Sequence, residues 1–313
     1  MGKCENLFRR GEDVMPTTES VNPRFVDIDL WSTSEAVDAM LEGQLSAIAA
    51  IKSQTGKIAI ASEAAANHLM KGGRLIYVGA GTSGRIAVQD GVELGPTFGW
   101  PATRLAYVIA GGIAAFAESV ENAEDDAEDS CAQLTALHTS ANDVVIGVAA
   151  SGRTPFTVSA IEMARHIGAL TIGVANNGGT PLLNAADHAL LADTGSEPIA
   201  GSTRMKAGTA QKAILNIVST AIMLRFGRVY RGLMVNMVIS NEKLLRRAQA
   251  MVSTLSNCGP DAAVAAVEAA QGNIKKAVLI AMGLSVVEAT TMLAKHNDNL
   301  RTAVDSVKQD GGK

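Results

Sequence analysis

A loop rich in glycine and hydroxyl residues follows an apolar run near residue 80. Residues 75–78 are apolar and lead into Gly79-Ala80-Gly81-Thr82-Ser83-Gly84, where a helical pattern begins. Free backbone N–H groups and the positive end of the helix dipole meet at such a helix start, which makes it a natural anion site. Glycines let a ligand approach the backbone, and hydroxyls donate hydrogen bonds. We therefore predict that Gly81, Thr82 and Ser83 bind a phosphate group.

The spacing of these glycines also fits a different kind of site. Gly79, Gly81 and Gly84 match the dinucleotide fingerprint G-x-G-x-x-G. That fingerprint also includes an acidic residue about 20 residues further on, at the end of the next strand, which binds a ribose. Here the next apolar run ends in Ala110-Gly111-Gly112, without an acid, and no P-loop sequence occurs. A nicotinamide cofactor site and a purely structural turn remain alternatives at this point.

Two further hydroxyl-rich loops precede helical patterns. One is Ala150-Ser151-Gly152-Arg153-Thr154-Pro155, whose proline suits a first helical turn. The other, residues 201–209, adds cations before a long helix. An ordinary helix N-cap is the alternative for Ser151 or Thr154, but three such helix starts at one sheet edge favour a phosphate with several sugar hydroxyls. The candidate binding residues in these loops are Ser151, Gly152, Arg153, Thr154, Ser202 and Lys206.

Acidic residues provide the candidates for proton transfer. Glu93 follows the helix that begins near Ser83. Several more acids fall within a helix predicted over residues 115–137. Four of these recur every three or four residues and predict one solvated helical face: Glu118, Glu121, Glu124 and Glu128. The five histidines are scattered, with neither a Ser-His-Asp order nor a metal-ligand cluster, so we expect no bound metal.

Apolar runs alternate with helical patterns through the middle of the chain. Continuous apolar strands separated by helices are typical of a parallel sheet covered on both faces, with ligands at the carboxyl ends of the strands. The hydroxyl-rich loops all fall at those ends. We predict a doubly wound α/β fold with strands near residues 75–78, 105–110, 144–149, 170–174 and 188–192.

The two ends of the chain differ from this centre. Residues 1–33 are polar, contain prolines and predict an extended arm, followed by a helix that Ser34 caps. From about residue 236 only short helices follow, one of them with a capping box at Ser285. We predict an N-terminal arm and helix over residues 1–57, a phosphosugar-binding domain over 58–235 and a C-terminal helical domain over 236–313.

Composition limits the partners. The 313 residues are 47% hydrophobic and 19% charged, which is typical of a globular protein. The net charge of −4 and an aromatic content of 4% argue against a nucleic-acid or anionic-membrane partner. The three cysteines are far apart and predict reduced thiols in a cytoplasmic protein.

Together these motifs resemble the N-acetylmuramic acid 6-phosphate etherases, a family with the sugar isomerase (SIS) fold. They occur in the family's order over nearly the whole chain, and residues 201–212 are the strongest single match. The matching stretches are Thr18-Glu19, Asn22-Pro23, Asp27-Ile28-Asp29, Gly79-Ala80-Gly81-Thr82-Ser83-Gly84-Arg85, Pro96-Thr97-Phe98-Gly99, Val120-Glu121-Asn122-Ala123-Glu124-Asp125, Ala150-Ser151-Gly152-Arg153-Thr154-Pro155, Gly201-Ser202-Thr203-Arg204-Met205-Lys206-Ala207-Gly208-Thr209-Ala210-Gln211-Lys212 and Asn241-Glu242-Lys243-Leu244.

The resemblance implies an enzyme that cleaves the D-lactyl ether of N-acetylmuramic acid 6-phosphate. The products are N-acetylglucosamine 6-phosphate and D-lactate. The family uses neither metal nor cofactor and acts as a homodimer. Glu93 matches its acid and Glu124 its second active-site glutamate, so one carboxyl would be neutral and the other ionised during the reaction. Residues 151–154, helped by Thr82 and Ser83, would hold the phosphate.

Two related functions remain as alternatives. A family that regulates glucokinase shares the Gly-Thr-Ser-Gly-Arg type of loop and binds phosphosugars without turnover, but its members are usually longer. Phosphosugar isomerases share the fold.

Around Glu93 many etherases read Asp-Ala-Ser-Glu-Cys-Pro-Pro-Thr, where this chain has Asp90-Gly91-Val92-Glu93-Leu94-Gly95-Pro96-Thr97, so the carboxyl is kept while its neighbours change.

Overall fold

The computed structural model describes residues 16–112, 115, 120 and 122–310. Its centre is a five-stranded, all-parallel sheet with the order β2-β1-β3-β4-β5. The predicted α/β class and all five predicted strands are confirmed. The strands are β1 Leu75–Gly79, β2 Leu105–Ile109, β3 Val144–Val148, β4 Leu170–Ala175 and β5 His188–Leu191.

Helices cover both faces of the sheet, because alternate residues of each central strand point to opposite sides. Leu75 and Tyr77 pack in one core with helices α1, α2, α3 and α7, whereas Ile76 and Val78 pack in another with α4, α5 and α6. Every residue of β1 and β3 is buried. The helices are α1 Thr33–Ile51, α2 Thr55–Leu69, α3 Gly81–Phe98, α4 Ala127–Ala136, α5 Pro155–Ile167, α6 Pro181–Ala185 and α7 Lys206–Arg225.

The N-terminal arm is not extended where the structure describes it. It forms three short 3-10 turns at Thr17–Glu19, Pro23–Phe25 and Ile28–Leu30. Helix α1 then begins two residues earlier than predicted, because Ser32 rather than Ser34 makes the capping box with Glu35.

The helix predicted over residues 115–137 is confirmed only as α4, Ala127–Ala136, and is wrong for residues 122–126. Asn122 has a left-handed backbone with φ of 58°, which no α-helix accommodates. A 3-10 turn follows at Ala123–Asp125, and Asp126 then caps α4 by accepting a hydrogen bond from the backbone N–H of Asp129. Glu124 therefore lies on a turn and does not share a helical face with Glu128. Glu118 and Glu121 lie outside the described residues.

The C-terminal part packs around its own apolar cluster, from Tyr230 to Val304. It begins with a two-stranded hairpin that the sequence analysis missed, β6 Val229–Tyr230 with β7 Leu233–Met234. Its helices are α8 Glu242–Ser256, α9 Pro260–Ala269, α10 Ile274–Ala281, α11 Val286–Lys295 and α12 Leu300–Asp310. The capping box at Ser285 is confirmed, whereas α12 was not predicted. The division at residues 57 and 235 stays a prediction.

No single helix within the described ranges is long and apolar enough to cross a membrane. Helices α10 and α11 meet that criterion only when they are combined, and they are bent by 118° relative to each other.

A buried ion pair joins the starts of two central strands. The Asp143 side chain, 2% exposed, accepts hydrogen bonds from the Arg74 guanidinium at 2.8 Å and 3.2 Å and from the Arg74 backbone N–H at 2.7 Å. Burial alone would raise the pKa of the Asp143 carboxyl, but the hydrogen bonds from Arg74 and from backbone N–H groups outweigh burial and lower it. The pair therefore stabilises the fold at neutral pH and loses that effect as the pH falls through the lowered pKa.

We expect Asp143→Ala to lower the free energy of unfolding by about 2 kcal/mol or more, because it leaves the Arg74 charge partly buried without its partner. Urea denaturation at pH 7 measures this change. The difference in the free energy of unfolding between the variant and the wild type should become smaller at acidic pH, because protonation of Asp143 breaks the ion pair in the wild type as well.

Glu42→Ala is the matched control, because it breaks the solvent-exposed pair with Arg24 and should change stability little. An equal effect of the two substitutions would contradict the importance of the buried pair.

Candidate functional site

The strand order brings two of the predicted loops together. β1 lies between β2 and β3, so the chain leaves β1 and β3 in opposite directions across the sheet, and a crevice opens beyond their carboxyl ends. A cleft of about 420 Å³ lies there. The described residues that line it are Glu19, Ala80, Gly81, Thr82, Ser83, Glu124, Asp125, Val148, Ala149, Ala150, Ser151, Arg153, Thr154, Pro155 and Thr203.

One wall of this cleft is formed by two helix N-termini. Helix α3 starts at Gly81 and α5 starts at Pro155, directly after β1 and after the β3 loop. Among the described residues neither helix has a side-chain N-cap, although Thr154 occupies the N-cap position of α5. The alternative that Ser151 or Thr154 is an ordinary cap is therefore not what the structure contains. First-turn N–H groups left without a cap favour an anion.

Close packing of glycines allows these loops to be tight. A Cβ on Gly84 would lie 2.9 Å from the carbonyl oxygen of Gly79, so only glycine permits this approach of α3 to β1. Gly152 has φ of 65°, and a Cβ there would lie 2.3 Å from the Thr180 hydroxyl oxygen. Glycine at position 152 therefore lets the loop with Ser151 and Arg153 pass close to Thr180.

Three acidic residues also line the cleft, and we call them its carboxylate wall. Glu124 and Asp125 come from the 3-10 turn before α4, and Glu19 comes from the first turn of the N-terminal arm. Arg153 is the single cation among the described lining residues. The cleft thus combines an anion-binding wall with a carboxylate wall. In the part of the chain that the structure describes, no cluster of three or more histidine, cysteine or acidic side chains could hold a metal.

Two predicted residues of the third loop do not line the cleft. Neither Ser202 nor Lys206 is among the described residues that line the cleft, whereas their neighbour Thr203 is. The Lys206 ammonium donates a hydrogen bond to the carbonyl oxygen of Ser196 at 2.9 Å. The N-terminus of α7 is already occupied by the buried Glu197 carboxylate, which accepts hydrogen bonds from the backbone N–H groups of Lys206 and Ala207 at 2.9 Å each.

Burial raises the pKa of Glu197, although the two backbone hydrogen bonds and the nearby Lys206 charge act against it. This carboxylate takes the position that a bound anion would need at α7. The participation of Ser202 and Lys206 in ligand binding stays a prediction.

Glu93 lies far along α3 from the cleft. Twelve residues separate it from Gly81, which is about 18 Å along a helix axis. Its side chain is exposed, and it is not among the described residues that line the cleft. Glu93 and Glu124 of one chain are therefore not neighbours in this structure. Their catalytic roles stay predictions.

A buried carboxylate fixes the orientation of α3 one turn before Glu93. Asp90 accepts hydrogen bonds from the Tyr77 hydroxyl at 2.6 Å, the Asn216 amide at 2.6 Å and the Ser219 hydroxyl at 3.1 Å. Burial raises the pKa of the Tyr107 hydroxyl to about 12, and the nearby Asp90 charge adds to the shift. These bonds hold Asp90 in the core, whereas the Glu93 side chain, three residues further on, is exposed.

The altered sequence around Glu93 has a steric explanation. A Cβ on Gly91 would lie 2.7 Å from the Tyr107 hydroxyl oxygen. Glycine at this position therefore leaves room for the tyrosine that packs beneath α3. Nothing in the structure explains the changes at Val92, Leu94 and Gly95.

Sequence reasoning missed two residues near the cleft. Glu19 occurs only within the Thr18-Glu19 stretch of the family resemblance, and the sequence pattern does not single out Asn177. The buried Asn177 side chain bonds to the arm at Thr17 and Thr18 and to the carbonyl oxygen of Ala150. No local sequence signal could have found them, because the contact joins residues about 160 positions apart.

Comparison with known proteins places the chain in a family. The model of the glucokinase regulatory protein N-terminal SIS domain matches residues 57–165. A structure from Bacteroides fragilis, described as a phosphosugar isomerase involved in capsule formation, aligns with a TM-score of 0.50 and 21% identity. It covers 64% of this chain and 95% of its own, and it supports the fold alone.

Full-length relatives are more specific. The N-acetylmuramic acid 6-phosphate etherase of Deinococcus radiodurans is 45% identical over 88% of this chain and 91% of its own length. That of Streptomyces coelicolor is 42% identical over 92% and 93%. This chain therefore belongs to the N-acetylmuramic acid 6-phosphate etherase family.

Proposed function

We propose that this protein cleaves the D-lactyl ether of N-acetylmuramic acid 6-phosphate and releases N-acetylglucosamine 6-phosphate and D-lactate. The observation that carries the proposal is the cleft with two walls of opposite chemistry. A phosphosugar has an anionic end and a body of hydroxyl and amide donors, so it matches an anion-binding wall that faces carboxylates. The membership of the chain in the etherase family supports the same substrate.

In this proposal the phosphate binds where α3 and α5 begin. Gly81, Thr82 and Ser83 lie on one side of that point, and Ser151 and Thr154 lie on the other. Uncapped backbone N–H groups from both helices and the hydroxyls would donate to the phosphate oxygens. Arg153 would add the cationic charge of the cleft. The sugar would then extend toward the carboxylate wall.

The reaction needs two carboxyls and proceeds through the open-chain aldehyde. A carboxylate removes the C2 proton, which the neighbouring C1 aldehyde acidifies, and the bond between C3 and the lactyl oxygen breaks as a protonated carboxyl gives that oxygen its proton. Water then adds to the unsaturated aldehyde, with its hydroxyl at C3 and a proton at C2. The net change is the addition of one water molecule across the ether.

We assign these proton transfers to Glu124 and Glu93, following the family. Glu124 lines the cleft of its own chain. Glu93 lies about 18 Å from Gly81 along α3, so the Glu93 that serves this cleft would come from a second copy. We therefore propose a homodimer in which each active site combines Glu124 of one protomer with Glu93 of its partner.

The surface around Glu93 supports such a dimer. Helices α1, α3 and α7 cover the same face of the sheet. Their outer sides carry apolar residues at helical spacing that nothing in the described chain covers. Burying such side chains in a dimer stabilises it. They are Val37, Leu41, Leu45, Ile48, Val92, Ile217 and Leu224.

A phosphosugar-binding regulator is the second candidate, because the match to the glucokinase regulatory protein domain spans residues 57–165. It would use the same anion-binding wall without turnover. The etherase relatives match about nine-tenths of the chain, including the C-terminal helices, and therefore favour the enzyme. We further propose that the protein acts in the cytoplasm and that residues 236–313 form a separate helical domain.

The purified protein should release D-lactate from N-acetylmuramic acid 6-phosphate, as an enzyme-coupled lactate assay would measure. We expect Glu93→Gln and Glu124→Gln each to lower this rate by about 100-fold or more, because each removes a proton-transfer group. Both variants should still bind N-acetylglucosamine 6-phosphate. Tight phosphosugar binding by the wild type without lactate release would instead favour the regulator.

Mixing the two inactive variants tests the shared site. If Glu93 acts across the dimer, each mixed dimer has one site with both glutamates intact, and random exchange of subunits should restore about a quarter of the wild-type activity. If both glutamates act within one chain, every site in the mixture lacks one of them and no activity returns. The unmixed variants, taken through the same exchange procedure, are the controls.

Gly152→Ala tests the phosphate loop. The added Cβ meets the Thr180 hydroxyl at 2.3 Å and forces the loop to move, so we expect at least about a 10-fold loss of phosphosugar affinity by calorimetry. Gly56→Ala is the matched control, because a Cβ there has no neighbour within 4 Å. If Gly152→Ala binds the phosphosugar as tightly as the wild type does, the phosphate does not bind at this loop.

A further inference from the structure

We propose that Glu19 of the N-terminal arm binds the sugar part of the substrate and accepts hydrogen bonds from its hydroxyl or amide groups. This residue would let the cleft distinguish a phosphosugar from inorganic phosphate. The proposal rests on the function proposed above, since it assumes a phosphosugar ligand in the same cleft. The role assigned to Glu19 is binding and is separate from the proton transfers assigned to Glu93 and Glu124.

The arm is fixed to the body of the protein immediately before Glu19. The amide oxygen of Asn177 accepts a hydrogen bond from the Thr17 hydroxyl at 2.8 Å, and its amide nitrogen donates to the Thr18 hydroxyl at 3.0 Å. The backbone N–H of Gly201 donates to the carbonyl oxygen of Thr18 at 3.1 Å. Thr18 is completely buried. Glu19 therefore begins from a rigid attachment and not from a loose arm.

The same asparagine positions the anion-binding wall. The Asn177 side chain, only 6% exposed, also donates to the carbonyl oxygen of Ala150 at 2.8 Å. Ala150 is the residue before Ser151. One buried amide therefore connects the arm that carries Glu19 directly to the proposed phosphate loop.

The Glu19 carboxylate is positioned for a ligand and not for another protein group. It lines the cleft, and its Oε2 lies so close to Gly201 that a Cβ there would be 2.7 Å away. Gly201, with φ of 74°, thus leaves room for the carboxylate. Within the described chain no hydrogen bond or ion pair satisfies the Glu19 side chain.

The charge of Glu19 determines what it can bind. An ionised carboxylate only accepts hydrogen bonds, so it attracts hydroxyl and amide groups and repels a phosphate. Glu124 and Asp125 contribute the same charge to that wall. A phosphosugar with its phosphate at the starts of α3 and α5 would therefore present its hydroxyl and amide groups to Glu19. Inorganic phosphate has no sugar, so a hydrogen bond from a sugar group to Glu19 cannot strengthen its binding.

Calorimetric binding to Glu19→Gln tests this proposal, with N-acetylglucosamine 6-phosphate and inorganic phosphate as the two probes. Loss of a hydrogen bond to a charged acceptor should weaken phosphosugar binding by about 10-fold or more. Inorganic phosphate should bind no more weakly than to the wild type, because a negative charge has been removed from the cleft. Asp38→Asn, an exposed acid on α1, is the matched control and should change neither affinity.

Three results would overturn the proposal. They are equal phosphosugar affinity in Glu19→Gln and the wild type, an equal loss of affinity for both probes, and a fall in the rate of lactate release with no change in phosphosugar affinity. The second would mean that the substitution only disturbs the arm, and the third would make Glu19 a proton-transfer group. The first two results come from binding alone and do not depend on whether the wild type releases lactate.

Discussion

The site depends on the contact between the end of β1 and the first turn of α3. Gly79 and Gly84 approach so closely that a Cβ on either would lie 2.9 Å from backbone atoms of the other. This contact lets the helix start two residues after the strand and directs its first N–H groups into the crevice beside β3. The anion-binding wall is therefore made largely of backbone, and the side chains around it only have to be small or carry hydroxyls.

Groups of opposite charge in one cleft then select the ligand. Helix N-termini attract a phosphate on one wall, whereas Glu19, Glu124 and Asp125 on the other repel it and accept hydrogen bonds from a sugar. An inorganic anion would bind only the helix N-termini, and a neutral sugar would bind only the carboxylates. The acidic wall is assembled from two distant segments of the chain, which Asn177 and the turn after Asn122 bring into position.

Helix α3 contributes to two surfaces. Its N-terminus forms part of the cleft, and its outer side carries Glu93 about 18 Å further along. The hydrogen bonds of Asp90 to Tyr77, Asn216 and Ser219 fix the rotation of the helix, so the direction of Glu93 is set by the core. In the dimer that we propose, one rigid helix would serve its own phosphate site and the chemistry of its partner.

The sequence by itself determined the sheet, its five strands and the loops that line the cleft. Continuous apolar runs, glycines and hydroxyls act over a few neighbouring residues, so their pattern is local and readable. It also identified Glu124 by resemblance, although the acidic run suggested a helical face that the left-handed Asn122 interrupts. The start of α1 was wrong by two residues, because Ser32, and not the predicted Ser34, forms the capping box with Glu35.

Only the tertiary structure decided which polar groups meet. Glu19 reaches the cleft through contacts with Asn177, far away in the sequence, and no local pattern encodes such a contact. Lys206 and the start of α7 looked like an anion site, but the buried Glu197 occupies that helix end. The separation of Glu93 from the cleft likewise follows from the length and direction of α3. The positions of these side chains depend on how distant segments pack, whereas the sequence pattern indicates only which helix, strand or loop each segment can form.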